Sequence, residues 1–212
     1  MINVVDISYQ YPQSSAPVLT AFSASFKPGE IVALRGRNGC GKTTLTKLLA
    51  GILRPSQGTI QINETDISQM DLFAIGQRLG YVFQNPNRQL FCDTVYQEVA
   101  FGLVNLEFTP ERIKEQVDYY LDYFGLSHYR ETFPGKLSHG EKQRLALAAV
   151  LALGTDYLAL DEPTTGLDVS RRGELGRLLH RLKEEQNCGI IIASHDEGFI
   201  TRYTDRELVM GQ

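Results

Sequence analysis

The stretch Ile31-Val32-Ala33-Leu34-Arg35-Gly36-Arg37-Asn38-Gly39-Cys40-Gly41-Lys42-Thr43-Thr44 decides the fold. Ile31 to Leu34 is a short apolar run between a Pro28-Gly29 turn and Gly36, the pattern of a strand buried on both faces. Gly36 to Thr43 fits G-x-x-x-x-G-K-[ST]. A helix pattern opens directly after it, with Leu45, Leu48, Leu49 and Ile52 at helical spacing up to Leu53. A strand, a glycine-rich loop and a helix start in that order cradle phosphate. The glycines let successive N–H groups converge on phosphate oxygens at the positive end of the helix. Lys42 then reaches the β- and γ-phosphates and the Thr43 hydroxyl ligates Mg²⁺, with Gly36 to Thr44 as the binding loop. A glycine-rich turn alone could merely cap a helix, but here both flanking elements are present. The reading is a nucleoside triphosphate site.

Outward from this loop the chain alternates. Ile2–Ile7, Phe22–Phe26, Thr59–Asn63, Tyr81–Gln84, Tyr157–Leu160, Gly189–Ala193 and Glu207–Met210 read as strands. Helical patterns run from a Thr109-Pro110 start to a Gly125 stop, from Ser138 to Leu153 and from Asp168 to Gln186. Strands alternating with helices predict an α/β fold with a mostly parallel, two-faced sheet. The helical middle is an insertion, giving a single domain over 1–212 with a core at 1–84 and 154–212 and a helical part at about 85–153.

A second chemical signal lies where Tyr157-Leu158-Ala159-Leu160 runs into Asp161-Glu162. The carboxyl edge of a parallel strand is where such sheets bind ligands. Asp161 is placed to hold Mg²⁺, and Glu162 to accept a proton from an attacking water. A solvated acidic turn is the bland alternative, and the phosphate loop weighs against it.

Composition bounds the rest. The 212 residues carry 21 Lys+Arg against 25 Asp+Glu, a formal net charge of −4, which argues against a general nucleic-acid binder. The longest apolar run, Leu145 to Leu153, is far short of the roughly 20 residues that span a bilayer. No secretory signal pattern opens the chain. Cys40, Cys92 and Cys188 are too scattered for a disulfide framework or a zinc site. These features are those of a soluble cytoplasmic protein.

Leu137-Ser138-His139-Gly140-Glu141-Lys142-Gln143-Arg144, upstream of the acidic strand, resembles the LSGGQ signature of ABC (ATP-binding cassette) ATPases. Other family motifs follow the same order: Gln84 matches the Q-loop, Thr165-Gly166-Leu167-Asp168 the D-loop, and His195 the switch histidine. Tyr11 is placed like the adenine-stacking aromatic, although it would also serve as a half-buried strand aromatic. The resemblance covers essentially the whole chain and implies an N-terminal antiparallel β subdomain and an inserted α-helical subdomain. It implies that Gln84 contacts Mg²⁺ and senses the γ-phosphate, and that His195 holds the γ-phosphate and the water. Ser138 and Gly140, at a helix start, would meet the ATP of a second protomer, a copy or a related ATPase subunit, with Asp168 at the same seam. The signature departs from the family pattern at His139 and Glu141, and a carboxylate near phosphates predicts some loss of affinity. Cys40 is either a small spacer or, beside a helix N-terminus, a reactive thiol.

Tyr81-Val82-Phe83-Gln84-Asn85-Pro86-Asn87-Arg88-Gln89-Leu90-Phe91, then Thr94-Val95 and Glu98-Val99-Ala100-Phe101-Gly102, resembles the ATPase subunits of energy-coupling factor (ECF) importers of vitamins and transition metal ions. That implies a place at the cytoplasmic face of the membrane, docked on an integral membrane subunit. Leu90, Phe91, Val95 and Phe101 would form the docking surface, or else close the helical subdomain's own core. The C-terminal extension many such subunits carry is not seen after Met210. The rival readings are a soluble ABC ATPase acting on ribosomes or DNA, and an ATP-binding module that does not hydrolyse.

Overall fold

The computed structural model describes residues 1–211. In chain order its elements are β1 (Ile2–Tyr9), β2 (Leu19–Phe26), β3 (Ile31–Arg35), α1 (Lys42–Leu49), β4 (Gln57–Ile62), β5 (Thr65–Asp66), α2 (Leu72–Gly76) and β6 (Leu79–Val82). There follow α3 (Val95–Asn105), α4 (Pro110–Tyr123), α5 (His139–Leu151), β7 (Tyr157–Asp161), α6 (Val169–Gln186), β8 (Gly189–Ala193), α7 (Glu197–Tyr203) and β9 (Arg206–Val209).

Two sheets organise the molecule. One is parallel, in the order β6-β7-β8-β3-β9, and the other is antiparallel, β2-β1-β4-β5. The parallel sheet is covered on both faces, and alternate residues of each strand show it. Leu158, Leu160, Ile190 and Ile192 pack into the cluster that holds α3 to α6, while Tyr157, Ala159, Ile191 and Ala193 pack towards α1 and the antiparallel sheet. Burial on both faces explains why these strands read as continuous apolar runs.

Register aligns the strand ends. Val82 pairs with Leu160, Leu160 with Ile192, Asp161 with Ala193, and Leu34 with Ala193. The loops leaving β6, β7, β8 and β3 therefore emerge side by side along one edge, the edge at which parallel sheets bind ligands.

Local chemistry sets the helix starts. Thr109 caps α4 ahead of Pro110, and Thr94 with Gln97 forms a capping box for α3. The helix after the glycine loop ends at Leu49, four residues short of the predicted Leu53, because Gly51 turns out of it at φ +70°. Ile52 is consequently 43% exposed and does not extend the buried stripe. The strand predicted over Tyr81–Gln84 is shifted two residues earlier, since Leu79 and Gly80 are also buried in the sheet, and Gln84 lies in the loop beyond it. The α-helices α2, α3 and α7 and the short strand β5 are absent from the sequence reading.

Candidate active site

The glycine loop wraps the start of α1. Lys42, only 6% exposed, turns its Nζ back to donate to Gly36 O at 2.8 Å and Arg37 O at 3.3 Å. The ammonium is thereby held at the centre of the loop's curve, where phosphate oxygens would replace carbonyl partners. Two glycines are sterically required. Gly41 has φ +99°, and a Cβ on Gly36 would lie 2.5 Å from Cys40 Sγ and 2.7 Å from Met210 O. Cys40 is half-buried, with its sulfur tucked against Gly36 and the side chain packed on the core. This is the spacer reading of that residue.

Asp161, at the end of β7, is buried, and both its oxygens are engaged. Thr43 Oγ1 donates to Oδ1 at 2.8 Å, and the Tyr81 hydroxyl donates to Oδ2 at 3.3 Å. Burial, and then the neighbouring Asp161 charge, push the Tyr81 hydroxyl well above the usual phenol range, so it remains a donor. A hydroxyl and a carboxylate brought together are hard oxygen donors that suit Mg²⁺. Among the described residues no group of three or more His, Cys, Asp or Glu could form a cation cage. A divalent cation here would take its remaining ligands from phosphate and water, the usual habit of Mg²⁺.

Glu162 follows Asp161 with φ +48°, an uncommon backbone conformation for a residue with a side chain. Its N–H is held by Ala193 O at 2.8 Å. The turn directs the carboxylate to His195, whose Nδ1 lies 2.8 Å from Oε2. Strained geometry of this kind persists where surrounding structure enforces it, and it clusters at functional sites.

One cleft of about 500 Å³ brings most of these groups together: Tyr11, Asn38, Gly39, Gly41, Lys42, Thr43, Thr44, Gln84, Glu162 and His195 line it, along with Val18. Gly36 and Arg37 line the hollow next to it, again with Asn38 and His195. Tyr11 lies beyond the end of β1, its hydroxyl 3.2 Å from Thr44 Oγ1 and its ring edge-on to Tyr9. It therefore stands at the cleft mouth and outside the strand.

Ser138, Gly140 and Asp168 do not line this cleft. Ser138 caps α5, accepting from Glu141 N at 3.4 Å, while Glu141 Oε2 accepts from Ser138 N at 2.7 Å and Oε1 from the Tyr129 hydroxyl at 2.9 Å. The Ser138 N–H, with the Tyr129 hydroxyl, holds the Glu141 carboxyl below its ordinary range. The Glu141 carboxylate, whose charge the sequence sets against nearby phosphate unless it points away, is turned back onto the start of its own helix as half of a capping box. Asp168 caps α6 through Arg171 N at 2.9 Å.

Of the surface expected around Leu90, Val95 is fully buried in the core and Leu90 packs partly against it. Phe91 and Phe101 remain outside, 66% and 48% exposed, with ring centroids 4.8 Å apart. They border an apolar groove of about 600 Å³ with Ala100, Val104 and Ile113. Among the described residues no helix is long and apolar enough to cross a membrane. Tyr81 and Val18 are site residues that sequence patterns alone did not single out.

Comparison with known proteins agrees with this architecture. Residues 19–165 match the family model described as ABC transporter. The chain is 41% identical over 212 residues to the energy-coupling factor transporter ATP-binding protein EcfA of Methanothermobacter thermautotrophicus, covering 99% of this chain and 68% of that protein. It is 41% identical over 202 residues to a putative ABC transporter ATP-binding protein of Methanosarcina mazei, but spans 34% of that relative's length against 94% of its own. The solved structure of cbiO1 from Clostridium perfringens, part of the ABC transporter complex cbiONQ, superposes with a TM-score of 0.90 at 37% identity, covering 99% of this chain and 84% of that one.

Proposed function

The chain belongs to the ABC transporter family of ATP-binding ATPase subunits, and from that premise we propose that it powers an ECF-type importer of a vitamin or transition metal ion. It would work as a homodimer, or as a heterodimer with a related ATPase, docked peripherally on an integral membrane subunit at the cytoplasmic face, with no nucleic-acid partner.

The observation that carries the reading is the Thr43–Asp161 hydrogen bond, 2.8 Å across 118 residues of sequence. It joins the glycine loop to the acidic strand end within reach of Glu162, His195 and Gln84. In this proposal the loop N–H groups and Lys42 hold the β- and γ-phosphates and Tyr11 stacks on the adenine. Thr43, Asp161 and Gln84 hold Mg²⁺, which supplies charge neutralisation at those phosphates when bound. Glu162 accepts the proton of the attacking water at a carboxylate oxygen, and His195 keeps that carboxylate and the γ-phosphate in line. Ser138 and the Gly140 N–H, at the start of α5, serve the nucleotide of the opposite protomer. That none of Ser138, Gly140 and Asp168 lines the cleft of its own chain supports this head-to-tail arrangement. ATP binding would then close the dimer and hydrolysis reopen it, moving a membrane subunit seated against Phe91 and Phe101.

Two measurements test the reading. Phosphate release from purified protein should be Mg²⁺-dependent and should fall away in Glu162→Gln. A multi-spanning membrane protein should co-purify in detergent with the native chain and be lost from the Phe91→Ser, Phe101→Ser variant. A chain that hydrolyses ATP but retains no membrane partner in either form would be a soluble ATPase.

A further inference from the structure

The side chain of His195 is 65% exposed, against 13% for its partner Glu162. Packing therefore does not fix the imidazole, and the loop that carries it must. That loop, Ser194 to Asp196, joins β8 to α7. The two acidic residues that follow His195 are each met by an arginine. Arg35 reaches Glu197 Oε1 at 2.6 Å, and Arg172 Nη1 lies 2.8 Å from Asp196 Oδ2. The two pairs differ in kind. Glu197 is 73% exposed, and ion pairs out in the solvent contribute little. The Asp196 side chain is only 15% exposed and its Oδ2 is shielded from water, so Arg172 is its counter-charge. The other oxygen, Oδ1, is already engaged in capping α7 through Phe199 N at 3.0 Å.

The same guanidinium turns back from the start of α6, where its Nε donates to Leu167 O at 3.0 Å. Leu167 is buried, and its segment is tied to Glu162: Leu167 N donates to Thr164 O at 3.2 Å, and Thr165 N to Glu162 O at 3.1 Å. The contacts close a ring. It runs from the Glu162 main chain through Leu167, Arg172, Asp196 and His195 to the Glu162 carboxylate. A planar guanidinium presents its donors in a fixed fork, so the two loops it joins cannot shift independently. We propose that Arg172 is a positioning residue for ATP hydrolysis. It locks the loop from Glu162 to Asp168 onto Asp196 and thereby sets His195 against Glu162. The inference rests on the roles proposed above for Glu162 and His195, and adds to them a residue that does not line the nucleotide cleft.

The test is single-turnover hydrolysis of radiolabelled ATP by the full chain, which keeps slow variants readable. MgADP affinity and stoichiometry, measured on the same preparations, count the native nucleotide clefts. Arg172→Gln should lower the rate by about 10-fold or more, the scale on which misplacing a catalytic group is felt, with MgADP binding unchanged. Asp196→Asn keeps an oxygen to cap α7 but loses the charge, and it should show the same fall. The double variant should be no slower than either single one, as expected of two residues that act as one contact. In a His195→Ala background, where the rate is already reduced, Arg172→Gln should have no further effect. Glu197→Gln, on the exposed pair, should hydrolyse at the native rate. Native hydrolysis in Arg172→Gln overturns the proposal, as does an equal fall in Glu197→Gln. So does a fall by the same factor with and without His195. Native hydrolysis in His195→Ala would be a different failure, since it removes the role given to His195 itself.

Discussion

His195 Nδ1 lies 2.8 Å from Glu162 Oε2, and the His195 backbone N–H points to the same oxygen at 3.4 Å. The two residues leave neighbouring strands, and the Asp161–Ala193 register brings them abreast. His195 thus fixes one carboxylate oxygen and leaves the other free for a water. Glu162→Gln preserves shape and hydrogen bonding but removes the basic oxygen. Turnover should fall by about 10²–10⁴, roughly 3–5 kcal/mol of barrier, with ATP affinity retained. Phosphate release and equilibrium nucleotide binding, measured on one preparation, separate the two effects. Undiminished turnover would take the base role from Glu162.

The proposed seam, one protomer's Lys42 against the other's Ser138, makes a mixing prediction. Lys42→Ala and Ser138→Arg should each be inactive alone. In a mixed dimer the defects gather at one seam, and the other keeps a native Lys42 facing a native Ser138. Mixed samples should therefore regain a fraction of native turnover. A mixture as dead as its parents would contradict a seam that works once its own Lys42 and Ser138 are native, and an active Ser138→Arg parent would mean that each chain works on its nucleotide unaided.

The glycine loop, the acidic strand end and the parallel core were legible because each is a local pattern: a motif with its flanking strand and helix, or an apolar run. Legibility failed where three-dimensional packing decides. Val95 and Phe91 look alike in sequence, yet one is core and the other 66% exposed, because Val95 opens α3 on its buried face whereas Phe91 lies in the turn before that helix. Glu141 was readable in principle, since Ser138-x-x-Glu141 is the capping-box spacing that satisfies the carboxylate. Tyr81 carried no local signal, since its link to Asp161 spans 80 residues and exists only once β6 and β7 pair.

Glu98 offers a pH test. It is 5% exposed, and Oε2 accepts from Phe91 N at 3.0 Å and Cys92 N at 2.8 Å, pinning the turn that presents Phe91. Burial raises its carboxyl above the ordinary value, more than these hydrogen bonds lower it. A raised folded-state value means its contribution is greatest at low pH and declines as pH rises through that value. Glu98→Gln keeps an oxygen acceptor without the charge. Its Tm should exceed the native one at pH 7, and the gap should close as pH falls towards 4. Thermal unfolding at several pH values checks this, and a gap that widens on acidification would contradict it.

Tyr81 bears on metal use. Asp161 is held from two sides, by Thr43 on Oδ1 and Tyr81 on Oδ2, and the Tyr81 ring packs edge-on to Phe83 with centroids 4.9 Å apart. Tyr81→Phe keeps that packing and frees one carboxylate oxygen to rotate. Groups that orient a metal ligand are typically worth about 10–100-fold in metal affinity. The Mg²⁺ concentration for half-maximal turnover should therefore rise by about 10-fold, while ATP affinity measured in excess chelator stays at the native value. Loss of both together would mean that Tyr81 supports the cleft as a whole. The selective loss follows if the hydroxyl acts through Asp161, the residue proposed to hold the cation, rather than through its other neighbours Thr46 and Tyr11.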